Sequence, residues 1–313
     1  MPSRCAERRR ARPLLGTIVE IAVANTAPAG AADASTEAST EAAFCAAFGV
    51  VERVHRLMSF HEPSSDVSRI NAAAPGVEVD VDPSTFEVLA RAIELGEASG
   101  GAFDITIAPA LVRRGFLPRP AARAADPAAS FRDLLLRRPA AVCWRRPGWI
   151  DLGGIAKGYA VDRAIDALRA RGVPSALVNA GGDLRCFGAA QPIHVPLPGK
   201  EGRYVALGML DDAAIATSSG TYTARWIEGR RRDPLADRTI ADCIAWAGSV
   251  SVAAPDCTTA DALTKIVGLD PQRAPALLAR LGAQASILSE AGLRRAGARV
   301  LGAMTSVDVQ PRR

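Results

Sequence analysis

The segment from Asp151 to Asp162, DLGGIAKGYAVD, constrains this chain more than any other. It begins as a short strand, passes through two glycines and continues as a helix predicted at about 156–171. Glycines at such a junction let the backbone approach a ligand, and the helix N-terminus offers free N–H groups and a positive dipole end. Lys157 adds a point charge suited to phosphate. Because the segment matches neither G-x-x-x-x-G-K-[ST] nor G-x-G-x-x-G, two interpretations stay open: a site for a phosphate-bearing ligand, and a structural glycine turn.

Lysine is rare in this chain. Of its 38 basic residues, three are lysines (Lys157, Lys200 and Lys265), so a lysine that is kept can serve a purpose that arginine cannot. The formal net charge of +5 points only weakly to nucleic acid, since acidic residues are interspersed and aromatic residues make up 5%. We therefore do not expect nucleic-acid binding.

Bulk features also indicate a compartment. No apolar run approaches the ~20 residues of a membrane span. Glu20 interrupts the apolar stretch that follows Arg8–Arg10, which indicates a strand rather than an export signal. The 6 cysteines are scattered without a C-x-x-C pair, which fits a reducing compartment and argues against zinc. We expect a cytoplasmic protein, or an exported one if the true start lies elsewhere.

Helical and strand patterns alternate without a regular βαβ order. They predict an α+β fold with mixed, largely antiparallel sheets and packed helices. We expect a single domain over 12–303, with flexible tails at 1–11 and 304–313. The predicted elements are a strand at 13–23, a helix with Phe44, Phe48, Val51, Val54 and Met58 on one face, a loop at 59–71, a helix that starts at Asp82, an irregular region at 118–148, a hairpin of 175–180 and 184–188, a strand at 249–254 followed by a helix, a helix at 271–281 and a strand at 285–290.

Three further segments admit both a structural and a functional interpretation. The segment 99–104 is either a helix end or part of a ligand site, and 216–220 is a hydroxyl-rich turn that could bind phosphate. In 258–265, Asp261 either suits the first turn of a capped helix or is a hard oxygen ligand for Mg²⁺. The histidines at 55, 61 and 194 have no metal-ligand spacing.

Taken in order, these segments resemble the FAD:protein FMN transferase family, the ApbE family. The resemblance covers roughly 12–300, and DLGGIAKGYAVD is its most diagnostic part. The matching segments are PLLGT (13–17), MSFHEPSSDVSRIN (58–71), SGGAFD (99–104), DLGGIAKGYAVD (151–162), LVNAGGDLRCFG (177–188), IATSSG (215–220) and SVSVAAPDCTTADALTK (249–265).

The resemblance implies an ApbE-like fold and a flavin transferase that binds FAD and Mg²⁺. Such enzymes move FMN from FAD to a threonine or serine hydroxyl of a target flavoprotein and release AMP. The target tends to belong to a membrane-bound electron-transfer complex. By position, the resemblance implies FAD contacts from Met58, Phe60, Ala102, Phe103, Asp104, Lys157, Thr217 and Ser218, and metal contacts from Ala156, Asp261 and Thr264.

Two positions depart from the family pattern. The family commonly has a metal-binding threonine four residues after the aspartate, where this chain has Lys265. We expect Mg²⁺ at Asp261 with Thr264 in reach; the alternative is that the Lys265 ammonium contacts the pyrophosphate directly and weakens the metal requirement. The family histidine assigned as the base is also missing, which leaves Asp233 and Asp237 as catalytic candidates. A non-catalytic FAD-binding protein and an FAD pyrophosphatase are the alternative functions.

Overall fold

The structure is a computed structural model that describes residues 7–24, 34–121, 123–198, 200, 202–220, 225–227, 229–232, 248–289, 292–297 and 301. The strands are β1 Glu7–Leu14, β2 Thr17–Ala24, β3 Glu78–Asp80, β4 Leu134–Arg137, β5 Ala141–Trp144, β6 Ala176–Ala180, β7 Asp183–Phe187, β8 Gln191–Pro196, β9 Tyr204–Leu210, β10 Ala214–Ser219, β11 Arg225–Ile227, β12 Arg230–Arg232, β13 Ser249–Ala254, β14 Gln284–Ser289 and β15 Gly292–Gly297. The α-helices are α1 Ala34–Met58, α2 Asp66–Ala72, α3 Pro83–Ala98, α4 Ala108–Arg113, α5 Ala156–Ala170, α6 Cys257–Leu269 and α7 Ala274–Arg280.

An antiparallel sheet carries the fold. Its strand order is β1-β2-β6-β7-β10-β13-β14-β15, and neighbouring strands run antiparallel throughout. The main apolar core, to which α1, α5 and α6 contribute, lies on one face, and the β8-β9 hairpin contributes to a second core on the other. Val252 belongs to the first core and Ala253 to the second, which explains why β13 is apolar at consecutive positions. The predicted α+β class is confirmed.

The N-terminal strand is held by charge rather than by apolar packing. The N-terminal sequence predicts one strand at 13–23 and a flexible tail at 1–11. The structure instead has β1 and β2 joined by a turn at Leu15 and Gly16, both with positive φ. Residues 7–11 therefore lie in a strand. Alternate arginines of β1 form ion pairs with glutamates of α1: Arg8 with Glu37 at 2.7 Å, Arg10 with Glu41 at 2.6 Å and Arg12 with Glu52 at 2.9 Å.

The region predicted as a loop at 59–71 contains the short helix α2. Ser65 caps it by accepting a hydrogen bond from the Ser68 N–H at 3.0 Å. The buried Asp66 carboxylate accepts from the Asp82 N–H at 2.9 Å and from the Thr85 hydroxyl at 2.6 Å, which fastens α2 to α3. The region 118–148, predicted as irregular, contains β4 and β5, which pair with each other and with β3.

The longer predicted helices are confirmed. The five apolar residues predicted to share one face of α1 are all buried. Asp82 caps α3 by accepting from the Ser84 N–H at 2.9 Å, and Pro83 occupies its first turn. Within the described ranges, no helix is both long and apolar enough to cross a membrane.

Candidate active site

Two lysines and two aspartates form one charged cluster. Lys157, at the start of α5, contacts the carboxylate of Asp183 at the start of β7, and its Nζ lies 3.9 Å from Oδ2 of Asp261 on α6. Lys265, one turn further along α6, contacts Oδ1 of Asp261. The aspartates are 2% and 0% exposed, whereas the lysine side chains are 29% and 21% exposed. The lysine side chains are therefore the part of the cluster that a ligand from solvent can reach.

The charges in this cluster support one another. Burial alone would lower the pKa of Lys157, but the negative charges of Asp183 and Asp261 raise it above its usual value. Burial alone would raise the pKa of Asp261, but Lys157 and Lys265 hold it below its usual value. Burial and the charge of Asp261 raise the pKa of Asp183, although Lys157 opposes this. Lys157 and Asp261 are therefore both charged at neutral pH.

Gly158 allows α5 and α6 to approach closely enough to form this cluster. A Cβ at position 158 would lie 2.2 Å from the carbonyl oxygen of Cys257 and 2.9 Å from Cβ of Asp261. The N–H of Gly158 donates to Oδ2 of Asp261 at 3.2 Å. A larger residue would separate Lys157 from Asp261, so the third glycine of the DLGGIAKG segment serves helix packing.

The glycine turn before α5 lies against Lys265. A Cβ at Gly154 would lie 3.4 Å from the Phe103 ring and 3.6 Å from Cε of Lys265. The N–H of Asp151 donates to the carbonyl of Ile105 at 2.8 Å, which joins the turn to the segment after 99–104. Helix α5 then begins at Ala156, whose N–H donates to the carbonyl of Leu152 at 2.8 Å. The positive end of the helix dipole lies at this turn and favours an anion there.

The hydroxyls predicted to contact FAD connect β10 to its neighbours. The Thr217 and Ser251 hydroxyls lie 2.8 Å apart, which links β10 to β13. Ser218 and Thr264 are hydrogen-bonded at 2.7 Å, and the Thr264 hydroxyl donates to the main-chain oxygen of Asp261, also at 2.7 Å. Since Thr264 donates to Asp261, it accepts from Ser218. Ser218 and Thr264 thus lie on the face of the sheet that carries Asp261. Thr217, the neighbouring residue of β10, points to the opposite face.

The segment 99–104 forms an ordered wall beside the glycine turn. Phe103 is 5% exposed and packs near Gly154, and Ala102 is half-buried. The Asp104 carboxylate accepts from the N–H of Thr106 at 2.8 Å and from its hydroxyl at 2.6 Å. Both contacts fix the 3₁₀ turn that starts at Ile105. In this arrangement, Asp104 shapes the wall.

The structure adds His61 to the predicted pair Met58 and Phe60. Met58 is 4% exposed and belongs to the main core, whereas Phe60 is half-buried against the same core. The rings of Phe60 and His61 are arranged edge to face, with centroids 6.3 Å apart. His61 is exposed, and its charge acts on the Asp151 carboxyl, whose pKa burial raises to about 6. The sequence around His61 gives no metal-ligand spacing and no signal that relates it to Asp151.

The residues expected to bind Mg²⁺ do not fit a divalent cation in this arrangement. Lys265 contacts one carboxylate oxygen of Asp261, and the Gly158 N–H donates to the other. The Thr264 hydroxyl donates to a main-chain oxygen, and Ala156 is only 8% exposed. Among the described residues, no group of three or more histidine, cysteine, aspartate or glutamate side chains could hold a metal ion. The catalytic candidates Asp233 and Asp237 lie outside the described residues.

Comparison with known proteins gives a consistent result. The model of the ApbE family matches residues 15–288. An FAD:protein FMN transferase of Treponema pallidum is 30% identical over 296 residues, which cover 83% of this chain and 78% of that protein. An FAD:protein FMN transferase of Vibrio cholerae is 30% identical over 234 residues, which cover 68% of this chain and 69% of that protein.

The fold is also similar to solved structures. The crystal structure of the ApbE protein from Thermotoga maritima superimposes with a TM-score of 0.75 at 26% identity, over 93% of this chain and 97% of that one. The apo structure of a flavinyl transferase from Pseudomonas stutzeri has the same TM-score at 23% identity, which supports the fold alone.

Proposed function

Because this chain belongs to the ApbE family, we propose that it is an FAD:protein FMN transferase that moves FMN from FAD to a hydroxyl of a target protein. The observation that carries the proposal is the pair of partly exposed lysine side chains, Lys157 and Lys265, beside the N-terminus of α5. This arrangement suits the two negative charges of a pyrophosphate. FAD is the substrate that supplies such a group.

In the proposed reaction, the acceptor hydroxyl oxygen attacks the phosphorus of the FMN half of FAD. A phosphorus–oxygen bond forms, the bond to the bridging oxygen breaks, and AMP leaves with that oxygen. Lys157 stabilises the negative charge of the pyrophosphate, and the positive end of the α5 dipole acts in the same sense, so both contribute by electrostatic stabilisation. The charges of Asp183 and Asp261 keep Lys157 protonated throughout.

The proton of the acceptor hydroxyl requires a base. Asp233 and Asp237 are the candidates that we propose from the sequence. The proposed acceptor is a flavoprotein subunit of an electron-transfer complex, with a threonine or serine as the modified residue. The geometry around Asp261 does not favour the predicted Mg²⁺.

The proposed function is tested by incubating the protein with FAD and candidate acceptor proteins. We expect a covalent flavin on the acceptor, seen by in-gel fluorescence and intact mass, with one AMP released per flavin. Lys157→Met should lower the rate by about 100-fold or more, since a charge-assisted phosphate contact is lost, whereas the exposed Lys200→Met should have no effect. FAD binding without AMP release would indicate a flavin-binding protein, and AMP release without an acceptor would indicate a pyrophosphatase.

A further inference from the structure

Lys265 binds the residue from which a metal ligand is expected. Its ammonium contacts Oδ1 of Asp261 and also donates to the main-chain oxygen of Asp261 at 3.0 Å. The two residues are one helical turn apart on α6, so the helix itself sets this contact. An ammonium group that contacts both oxygens occupies the space in which a cation would lie.

The remaining acceptors of Asp261 are also engaged. Oδ2 accepts the Gly158 N–H at 3.2 Å and lies 3.9 Å from the Lys157 ammonium, and the main-chain oxygen accepts the Thr264 hydroxyl at 2.7 Å. The carboxylate is completely buried. A divalent cation would therefore have to displace Lys265 and lose its hydrogen bonds.

The charge of the cluster leads to the same conclusion. Lys157 and Lys265 carry two positive charges, and Asp183 and Asp261 balance them with two negative charges. An additional dication would lie close to two ammonium groups that repel it, and the carboxylates that would attract it are buried behind them. A pyrophosphate dianion would instead approach from the side of the partly exposed lysines.

We propose that Lys265 takes the place of a divalent cation, so that this protein binds FAD through two lysines and without a metal ion. The proposal rests on the proposed function, because it identifies FAD as the ligand. In this arrangement, the Lys265 ammonium contacts the pyrophosphate and neutralises part of the negative charge that leaves with AMP.

The proposal is tested by measuring FAD affinity by calorimetry in EDTA and in excess Mg²⁺. We expect the wild-type dissociation constant to differ by less than about twofold between the two buffers. Lys265→Thr exchanges the ammonium for a neutral oxygen that Mg²⁺ can use. This variant should bind FAD about tenfold or more weakly in EDTA and recover in Mg²⁺, while Lys265→Met should stay weak in both. Lys200→Thr, a change at an exposed lysine, is the matched control and should behave as wild type.

A second measurement titrates Mg²⁺ alone into the proteins without FAD. Wild type should give no binding heat, and Lys265→Thr should bind the ion. If wild type binds FAD tenfold or more weakly in EDTA than in Mg²⁺, the proposal is overturned, and this result does not depend on the folding of any variant. If wild type binds no FAD in either buffer, the proposed function itself fails.

Discussion

At the scale of single residues, Gly158 has little freedom to change. The position that a Cβ would take is 2.2 Å from a backbone oxygen of Cys257, and backbone cannot yield as a flexible side chain can. The N–H of Gly158 also donates to the Asp261 carboxylate. Gly49 on α1 offers the opposite case, since a Cβ there would meet nothing within 4 Å.

Gly158→Ala should lower the free energy of unfolding by about 3 kcal/mol or more, because α5 and α6 must move apart. Gly49→Ala should instead raise it by about 0.5–1 kcal/mol, since alanine favours an exposed helical position. Urea denaturation measures both changes. Equal effects of the two variants would contradict the close approach of α5 and α6.

The carboxyl of the half-buried Asp151 makes stability depend on pH. Burial raises its pKa to about 6, against the positive charges of His61 and Lys265 and the hydrogen bond from Gly153, so the folded protein holds this proton more tightly than the unfolded chain does. The stabilisation is therefore fully present below about pH 4 and is lost as the pH rises through about 6.

Asp151→Asn should remove this pH dependence. The unfolding free energy of the variant minus that of wild type should increase by up to about 3 kcal/mol from pH 4 to pH 7. This increase corresponds to a difference of about two units between the folded and unfolded pKa of Asp151. Urea unfolding of both proteins across this range gives the difference. A difference that is constant with pH would show that Asp151 titrates normally.

At the scale of elements, Asp162 joins three parts of the site. From α5, its carboxylate accepts from the N–H groups of Cys257 and Thr258 at 2.9 and 2.8 Å, and so caps α6 from outside. It also accepts from the Thr258 hydroxyl at 2.6 Å and from Arg185 of β7 at 2.7 Å. Burial raises the pKa of Asp162 despite these contacts. Asp162 stabilises the fold by accepting hydrogen bonds from donors that would otherwise be buried without a partner.

Asp162→Asn should lower the free energy of unfolding by about 2–4 kcal/mol, because Arg185 loses its counter-charge and the cap of α6 is weakened. Asp166→Asn, which removes an exposed ion pair with Arg163 on the same helix, is the control and should change it by less than about 0.5 kcal/mol. Chemical denaturation at neutral pH compares them. If Asp162→Asn lowers the free energy of unfolding no more than the control does, the capping role of Asp162 is contradicted.

Helical periodicity made the long elements predictable, whereas elements rich in charged or polar residues have no apolar pattern that predicts them. Helices α1 and α3 follow apolar spacing, α3 also has a clear N-cap, and β13 alternates serine with valine before two alanines, so the sequence predicted them. Strand β1 is arginine-rich and paired with the glutamates of α1, so it has no apolar pattern to recognise. Helix α2 has only 7 residues and buries an aspartate and an asparagine.

The site was partly predictable for a related reason. Lys157 and Asp261 lie in segments with glycine or capping signals, and the structure brings them together. Asp183 was missed, although it follows two glycines in the predicted hairpin, because no local spacing relates β7 to α5. Only the order of strands in the sheet brings Asp183 to Lys157.

At the scale of the whole molecule, the site is assembled from distant parts of the chain. Lys157 comes from α5, Asp183 from β7, Ser218 from β10, and Asp261 and Lys265 from α6. The unfolded chain cannot hold these groups together, so a ligand of the site binds only the folded state. Binding must therefore raise the stability of the entire fold.

FAD at about 100 times its dissociation constant should add about 2.7 kcal/mol to the unfolding free energy and raise Tm by roughly 5 °C. Differential scanning calorimetry with and without FAD measures the shift. Lys157→Met should lose most of the shift, whatever its own Tm, whereas Lys200→Met should keep it. The same shift in Lys157→Met as in wild type would contradict the role of Lys157 in binding.

The contact at Gly158 also bears on how such a site can change over evolutionary time. At Gly158 the backbone of α5 lies directly against α6. The distance between the two helices is therefore kept when a ligand-facing side chain on α6 is exchanged. Position 265 can thus carry either a hydroxyl or an ammonium group on the same scaffold. On the proposal above, a change in this one codon replaces a metal ion that must come from solution with a positive charge on the protein's own side chain.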